Sequence, residues 1–132
     1  MSPLLVDSAV YIQHLRAQTD VRQVLLPYLR AGNLYSCGVV RAEVLRGMKT
    51  PASRDGLEAF FNVVPEVPCD ARLWRAVSQL GWQLGRKGKW PPVTDLVIAA
   101  CAIRVGAAVV SPDAHFEDVP GLHVLESLPG EV

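Results

Sequence analysis

The sequence has no surplus of either charge: thirteen Lys and Arg balance thirteen Asp and Glu. No bulk electrostatic pull toward nucleic acid or membrane is expected, so any such affinity must come from local arrangement. It has no apolar run near the ~18 residues that a membrane helix needs; candidates such as Leu96–Ile103 are short and end at Arg104. The opening Met1-Ser-Pro-Leu-Leu-Val-Asp7 lacks the basic segment of a secretory leader, and the chain reads as cytosolic. Cysteine is scarce and odd in number. Cys37, Cys69 and Cys101 form no close pair along the chain, which argues against a disulfide framework or a zinc site and suits three buried small apolar residues. Linkers and repeats are lacking too, so residues 1–132 are expected to form one domain.

What is present is half hydrophobic and alternates between two patterns. Short apolar runs at Pro3–Val6, Leu34–Cys37, Ala107–Val110 and His123–Leu125 read as strands, and Val63–Val67, interrupted by Pro65, as an edge strand. Helical spacing marks Ala9–Arg16 and Val39–Met48, with a short helix around Leu57–Phe61. Thr19-Asp20 caps a stretch running to Gly32, which Pro27 should kink or divide. Asp70 caps a long amphipathic helix with Leu73, Trp74, Val77, Leu80 and Leu84 on one face. Thr94 is placed to cap Asp95–Val105, apolar nearly all round and expected to be the most buried helix. Alternating strands and helices predict an α/β fold with a mostly parallel sheet covered on both faces.

Ligands of such sheets sit beyond the carboxyl ends of the strands. Four acids map to that edge: Asp7 after the first strand, Glu43 early in the helix after the second, Asp95 opening the buried helix, and Asp113 past the Ala107–Val110 strand. Singly, each has an ordinary structural reading as a turn, dipole or solvated carboxylate. Gathered in one cleft they would repel one another unless a cation neutralised them, and an oxygen-only set suits Mg²⁺ or Mn²⁺ better than zinc. Such an ion could activate water for in-line attack on a phosphodiester. A different Mg²⁺-dependent phosphotransferase is disfavoured by the lack of an Asp-x-Asp pair after the first strand and of a Gly-rich phosphate loop.

The segments Leu-Leu-Val-Asp7-Ser8-Ala, Arg41-Ala-Glu43-Val-Leu-Arg-Gly47, Pro92-Val-Thr94-Asp95-Leu-Val-Ile-Ala-Ala100 and Val110-Ser-Pro-Asp113-Ala-His-Phe116 occur in this order. Together they resemble the PIN domain, more closely the VapC toxins of bacterial toxin–antitoxin pairs, over essentially the whole chain. The resemblance implies a three-layer α/β/α sandwich and a cytosolic Mg²⁺- or Mn²⁺-dependent endoribonuclease. It also implies frequent homodimers and a small cognate VapB-like antitoxin. By position, Asp7, Glu43, Asp95 and Asp113 match the family's four acids, all implied metal ligands, with Glu43 alternatively orienting the attacking water. Ser8 and Thr94 match supporting polar positions. One departure is Ser111-Pro112, where relatives often carry Asn or Thr after the strand. The rival reading is a PIN-like interaction module without catalysis, which the presence of all four acids disfavours.

Charge is locally uneven. Residues 71–94 carry Arg72, Arg75, Arg86, Lys87 and Lys89 and no acid, while residues 105–132 carry five acids and no Lys or Arg. Within the expected loop Gly85–Pro92, the cations Arg86, Lys87 and Lys89 with Trp90 are candidates for substrate contact, since cations bind phosphate and an indole stacks on an unpaired base. His115, two residues from Asp113, is within reach of the site, but it reads rather as a surface turn histidine, because a hard-ion cleft needs no imidazole. The apolar residues of Ala9–Arg16 and Val24–Leu29 suit either core packing or a partner groove.

Overall fold

The short apolar runs become a five-stranded sheet: β1 (Leu4–Val6), β2 (Leu34–Cys37), β3 (Glu66–Val67), β4 (Ala108–Val110) and β5 (Val124–Leu125). The computed structural model describes residues 2–129. Every strand pairing is parallel, in the order β3-β2-β1-β4-β5. β1 and β4 are buried throughout, as continuous apolar runs in a doubly covered sheet should be. Six helices flank the sheet: α1 (Ser8–Arg16), α2 (Val21–Arg30), α3 (Gly38–Arg46), α4 (Pro51–Val63), α5 (Ala71–Arg86) and α6 (Val93–Val105). From β1 the chain steps one way to β2 and β3, then crosses back to β4 and β5. Right-handed crossovers in opposite directions put their helices on opposite faces, which gives the three-layer α/β/α sandwich.

α6 is the central helix, with Leu96 through Ala102 all buried. Gly106 ends it in the left-handed region at φ 67°, where a side chain is strained. α5 buries Leu73, Val77, Leu80 and Leu84, the stripe expected from the sequence. Trp74 departs from it and is 47% exposed, because it lies about 100° round the helix from Leu73 and outside the i, i+4, i+7 ridge. Asp70 caps α5 by accepting from the Leu73 amide at 2.9 Å and receives Arg104 from the end of α6 at 3.0 Å. That guanidinium holds the Asp70 carboxyl below its ordinary range.

Other local expectations are corrected. α2 runs through Pro27 without being divided. α4 spans thirteen residues, because Thr50 caps it through the Ser53 amide and Pro51 occupies its first position, where no amide donor is required. Pro92, not Thr94, is the N-cap of α6, and Thr94 is an exposed residue in its first turn. α5 continues to Arg86, so the loop is shorter than Gly85–Pro92. Cys37 and Cys101 are buried, but Cys69 is only half-buried, and its sulfur lies 3.9 Å from that of Cys101. Most apolar residues of α1 and α2 serve the core: Val10, Tyr11, Val21 and Leu25 are buried, and Leu15, Val24, Tyr28 and Leu29 pack against it, while Ile12 and Leu26 are half-buried and stand outside that cluster.

Candidate active site

The chain reverses its direction of winding between β1 and β4, and the crevice beyond their carboxyl ends is where an open parallel sheet binds ligands. The residues that follow both strands are polar. Asp7 leaves β1 as the N-cap of α1, and its backbone amide donates to the Val110 carbonyl at 3.0 Å. Its carboxylate makes no capping bond to the helix and is held instead by side chains around it. Ser111, next after β4, donates its hydroxyl to Asp7 Oδ2 at 2.8 Å. The same Ser111 oxygen accepts from the Asp113 amide at 3.0 Å, so one hydroxyl bridges the two strand ends. Pro112 therefore leaves Asp113 well anchored, despite the departure from the family pattern at this step.

Glu43 arrives from α3. Ser8 Oγ donates to Glu43 Oε1 at 3.1 Å and stands 3.4 Å from Asp7 Oδ1. Asp95, in the first turn of α6, meets Asp113 through His115. The imidazole Nδ1 lies 2.8 Å from Asp95 Oδ2 and 3.1 Å from Asp113 Oδ1. A ring nitrogen facing two carboxylates holds its proton, which makes it a donor to both. Asp113 Oδ1 also accepts from the His115 amide at 2.9 Å, so the turn Ala114–Phe116 is built on the acid it presents.

The electrostatics follow from burial and like charge. Asp7 is 3% exposed, and burial raises its pKa above 3.8; the Ser111 bond opposes the shift, while the charges of Asp95 and Glu43 add to it. Asp95 is raised by burial and by Asp113, against the bond from His115. His115 is raised in turn, first by its bond to Asp95 and further by the charge of Asp113. The four carboxylates thus stand in two bonded pairs, Asp7 with Glu43 through Ser8 and Asp95 with Asp113 through His115, joined by the Ser111 bridge, and His115 is the one cation bonded to them among the described residues. Asp95, Asp113 and His115 each offer a ligand atom within 4.8 Å of the others.

Of the residues singled out in the sequence, Asp7, Ser8, Glu43, Asp95 and Asp113 come together. Thr94 stands beside Asp95 but bonds none of the four acids. The cationic segment divides. Arg86 lies over the Trp82 ring at 4.9 Å and, with Lys87, lines a separate cavity with Pro120. Lys89 pairs with Asp118 at 2.7 Å and, with Trp90, lines a cavity that has His115 in its wall. Sequence reasoning missed Ser111; His115 is the exposed turn residue it was read as, yet its ring also bonds Asp95 and Asp113. Their signal was the compact Ser111-Pro-Asp113-Ala-His115 run, in which polar groups flank the acid at a spacing of two.

Comparison with known proteins agrees with this fold. The PIN-domain profile matches residues 4–122. Ribonuclease VapC11 of Mycobacterium tuberculosis (strain H37Rv) is 26% identical over 129 residues, covering 94% of this chain and 96% of the relative. The VapC ribonuclease Mb1587 of Mycobacterium bovis matches to the same extent. Among solved structures, a DNA-bound VapBC from Salmonella typhimurium superposes with a TM-score of 0.78 at 20% identity, covering 95% of this chain and 98% of the other. VapBC2 of Rickettsia felis, bound to a promoter DNA fragment, gives 0.76 at 21% identity, covering 92% and 96%. At that identity the likeness is one of fold.

Proposed function

This chain belongs to the PIN-domain family, and on that premise we propose that it is a metal-dependent endoribonuclease, the toxin of a toxin–antitoxin pair. One observation carries the reading: the chain spends the switch point of its sheet on four converging carboxylates, one of them almost wholly buried. Burial raises the proton affinity of Asp7 and Asp95, and a cation bound beside them offsets that cost. The donor set is chiefly carboxylate oxygen, which fits Mg²⁺ or Mn²⁺. Asp7, Asp95 and Asp113 would hold the ion, with Glu43 joining them or orienting the attacking water. When bound, such an ion lowers the pKa of water and offsets charge on the phosphoryl oxygens.

The chain's own groups prepare this chemistry. Ser8 fixes Glu43 relative to Asp7, and Ser111 ties Asp7 to the backbone that presents Asp113. His115 balances Asp95 and Asp113 in the ion-free protein and can serve as a further ligand. The names of the relatives support ribonuclease activity, and the VapBC structures support a small VapB-like antitoxin as partner. Homodimer formation and a cytoplasmic location complete the proposal. Among the described residues no helix is long and apolar enough to cross a membrane.

The test is direct. Purified protein incubated with unpaired RNA should cut it in the presence of Mg²⁺ or Mn²⁺ and stop on addition of EDTA. Intact RNA under all these conditions would favour the non-catalytic interaction module instead.

Ion binding should also be visible without RNA. Because Asp7 and Asp95 keep their protons to a higher pH than ordinary carboxyls, an ion must displace protons to bind. As pH falls through that raised range, the carboxylate form and the ion affinity are lost together. Mn²⁺ at ~100 times its Kd should stabilise the fold by about 2.7 kcal/mol, on the order of 10 °C in Tm. Differential scanning fluorimetry should show a larger rise at about pH 8 than at about pH 5.5, with proton release on binding.

A further inference from the structure

Trp90 is the most exposed large apolar side chain among the described residues, at 81%, yet its ring is seated. A side-chain carbon at position 85 would stand 2.8 Å from the indole Cη2 and 3.1 Å from both Cζ2 and Cζ3. Distances so nearly equal put that position over the face of the six-membered ring, since a carbon in the ring plane would lie much farther from Cζ2 and Cζ3. Gly85 therefore supports one face of the indole, which only a residue without a side chain allows, and the other face is open. The ring walls a cavity of about 200 Å³ with Lys89, Pro91, His115 and Asp118. The cavity adjoins the carboxylate cluster through His115, whose Nδ1 is 2.8 Å from Asp95. Lys89, held by Asp118 at 2.7 Å, places a cation at the same cavity.

We propose that this cavity is a nucleobase subsite: Trp90, seated on Gly85, stacks an unpaired base of the RNA next to the phosphate held at the acids. The inference rests on the nuclease reading and adds to it the form of substrate the site selects. A stacking platform accepts any base that is not paired, because every base has a π-face, and it excludes duplex RNA, whose bases are already stacked. Trp90 is a binding residue here, and Gly85 is a positioning residue that acts through it.

The test uses the full chain and a short unpaired oligoribonucleotide, together with a series in which each base in turn is replaced by an abasic ribose. Two readouts run side by side: cleavage rate in Mn²⁺, and binding in EDTA by fluorescence anisotropy. Trp90→Ala should weaken both by roughly 10- to 100-fold. At one position the abasic substrate should lose the same factor with the wild type and lose no more with Trp90→Ala. Trp90→Phe should retain most of the function, and Gly85→Ala should behave like Trp90→Ala by displacing the ring. Cleavage and binding unchanged in Trp90→Ala would overturn the subsite while leaving the nuclease reading intact. So would losses that multiply at every abasic position, as expected if the loop served a protein partner or the fold alone. Coupled losses in the binding readout with no cleavage by the wild type would overturn the nuclease reading and uphold the subsite.

Discussion

Asp7→Asn is expected to lower RNA cleavage by more than about 100-fold while raising the Tm of the ion-free protein. Losing a group that only orients a metal's ligands commonly costs about 10–100-fold, and Asp7 is itself a ligand in the proposed site. The opposite sign of the stability change follows from burial. A carboxyl whose pKa in the fold lies above its unfolded value destabilises the fold once the pH rises past it, because the charged form is better solvated in the open chain. Asn keeps an oxygen to accept from Ser111 and removes the buried charge. Cleavage assays in Mn²⁺ beside thermal melts in EDTA at neutral pH check both halves. Lost cleavage with a lower Tm would mean that Asp7 serves the fold rather than the chemistry.

The largest stability effect should come from Ile98→Ala, at about 2–5 kcal/mol. Ile98 is fully buried in α6, one turn beyond Asp95, and the helix packs against α5, α3 and the central strands. Its truncation leaves a cavity where surrounding helices and strands can collapse only in part. Against a total of about 5–15 kcal/mol this is severe. Urea unfolding should show the lower midpoint with an unchanged slope. Ile103→Ala on the same helix is the control: its side chain is 45% exposed, and the change should stay within about 1 kcal/mol. Equal losses at both positions would contradict the burial described for α6.

Much of this architecture was legible because its signals are local. β2 occupies the expected Leu34–Cys37, and the apolar run after Asp95 became the buried α6. Elements whose cues compete were harder. Thr50-Pro51 looks like a turn, yet the same two residues make a cap and a first helical position, and α4 is more than twice the expected length. Trp74 and Leu73 are neighbours in sequence, and only the docked helix decides which of them faces inward. For the site, Asp7, Asp95 and Asp113 could be read because each follows a recognisable strand or opens a helix, while Glu43, in the middle of α3, was reached through the family resemblance. The bridges among them could not be read. Ser111 reaches Asp7 across 104 positions, and His115 matters only because α6 brings Asp95 to within 2.8 Å of it. A residue whose partner is remote leaves no periodicity to detect.

The pairing of β1 with β4 has a consequence for the timing of assembly. β4 enters the sheet as a neighbour of the first strand made, yet it follows all six helices in the chain. A ribosome that has released residues 1–105 has already supplied Asp7, Glu43 and Asp95, but neither the strand that lies beside Leu4–Val6 nor Ser111 and Asp113. Closing so long a loop is a late step in folding. The site is therefore incomplete until residues 106–113 have been made, and the nascent polypeptide emerges beside its own messenger before it holds the full set of groups proposed to cut it.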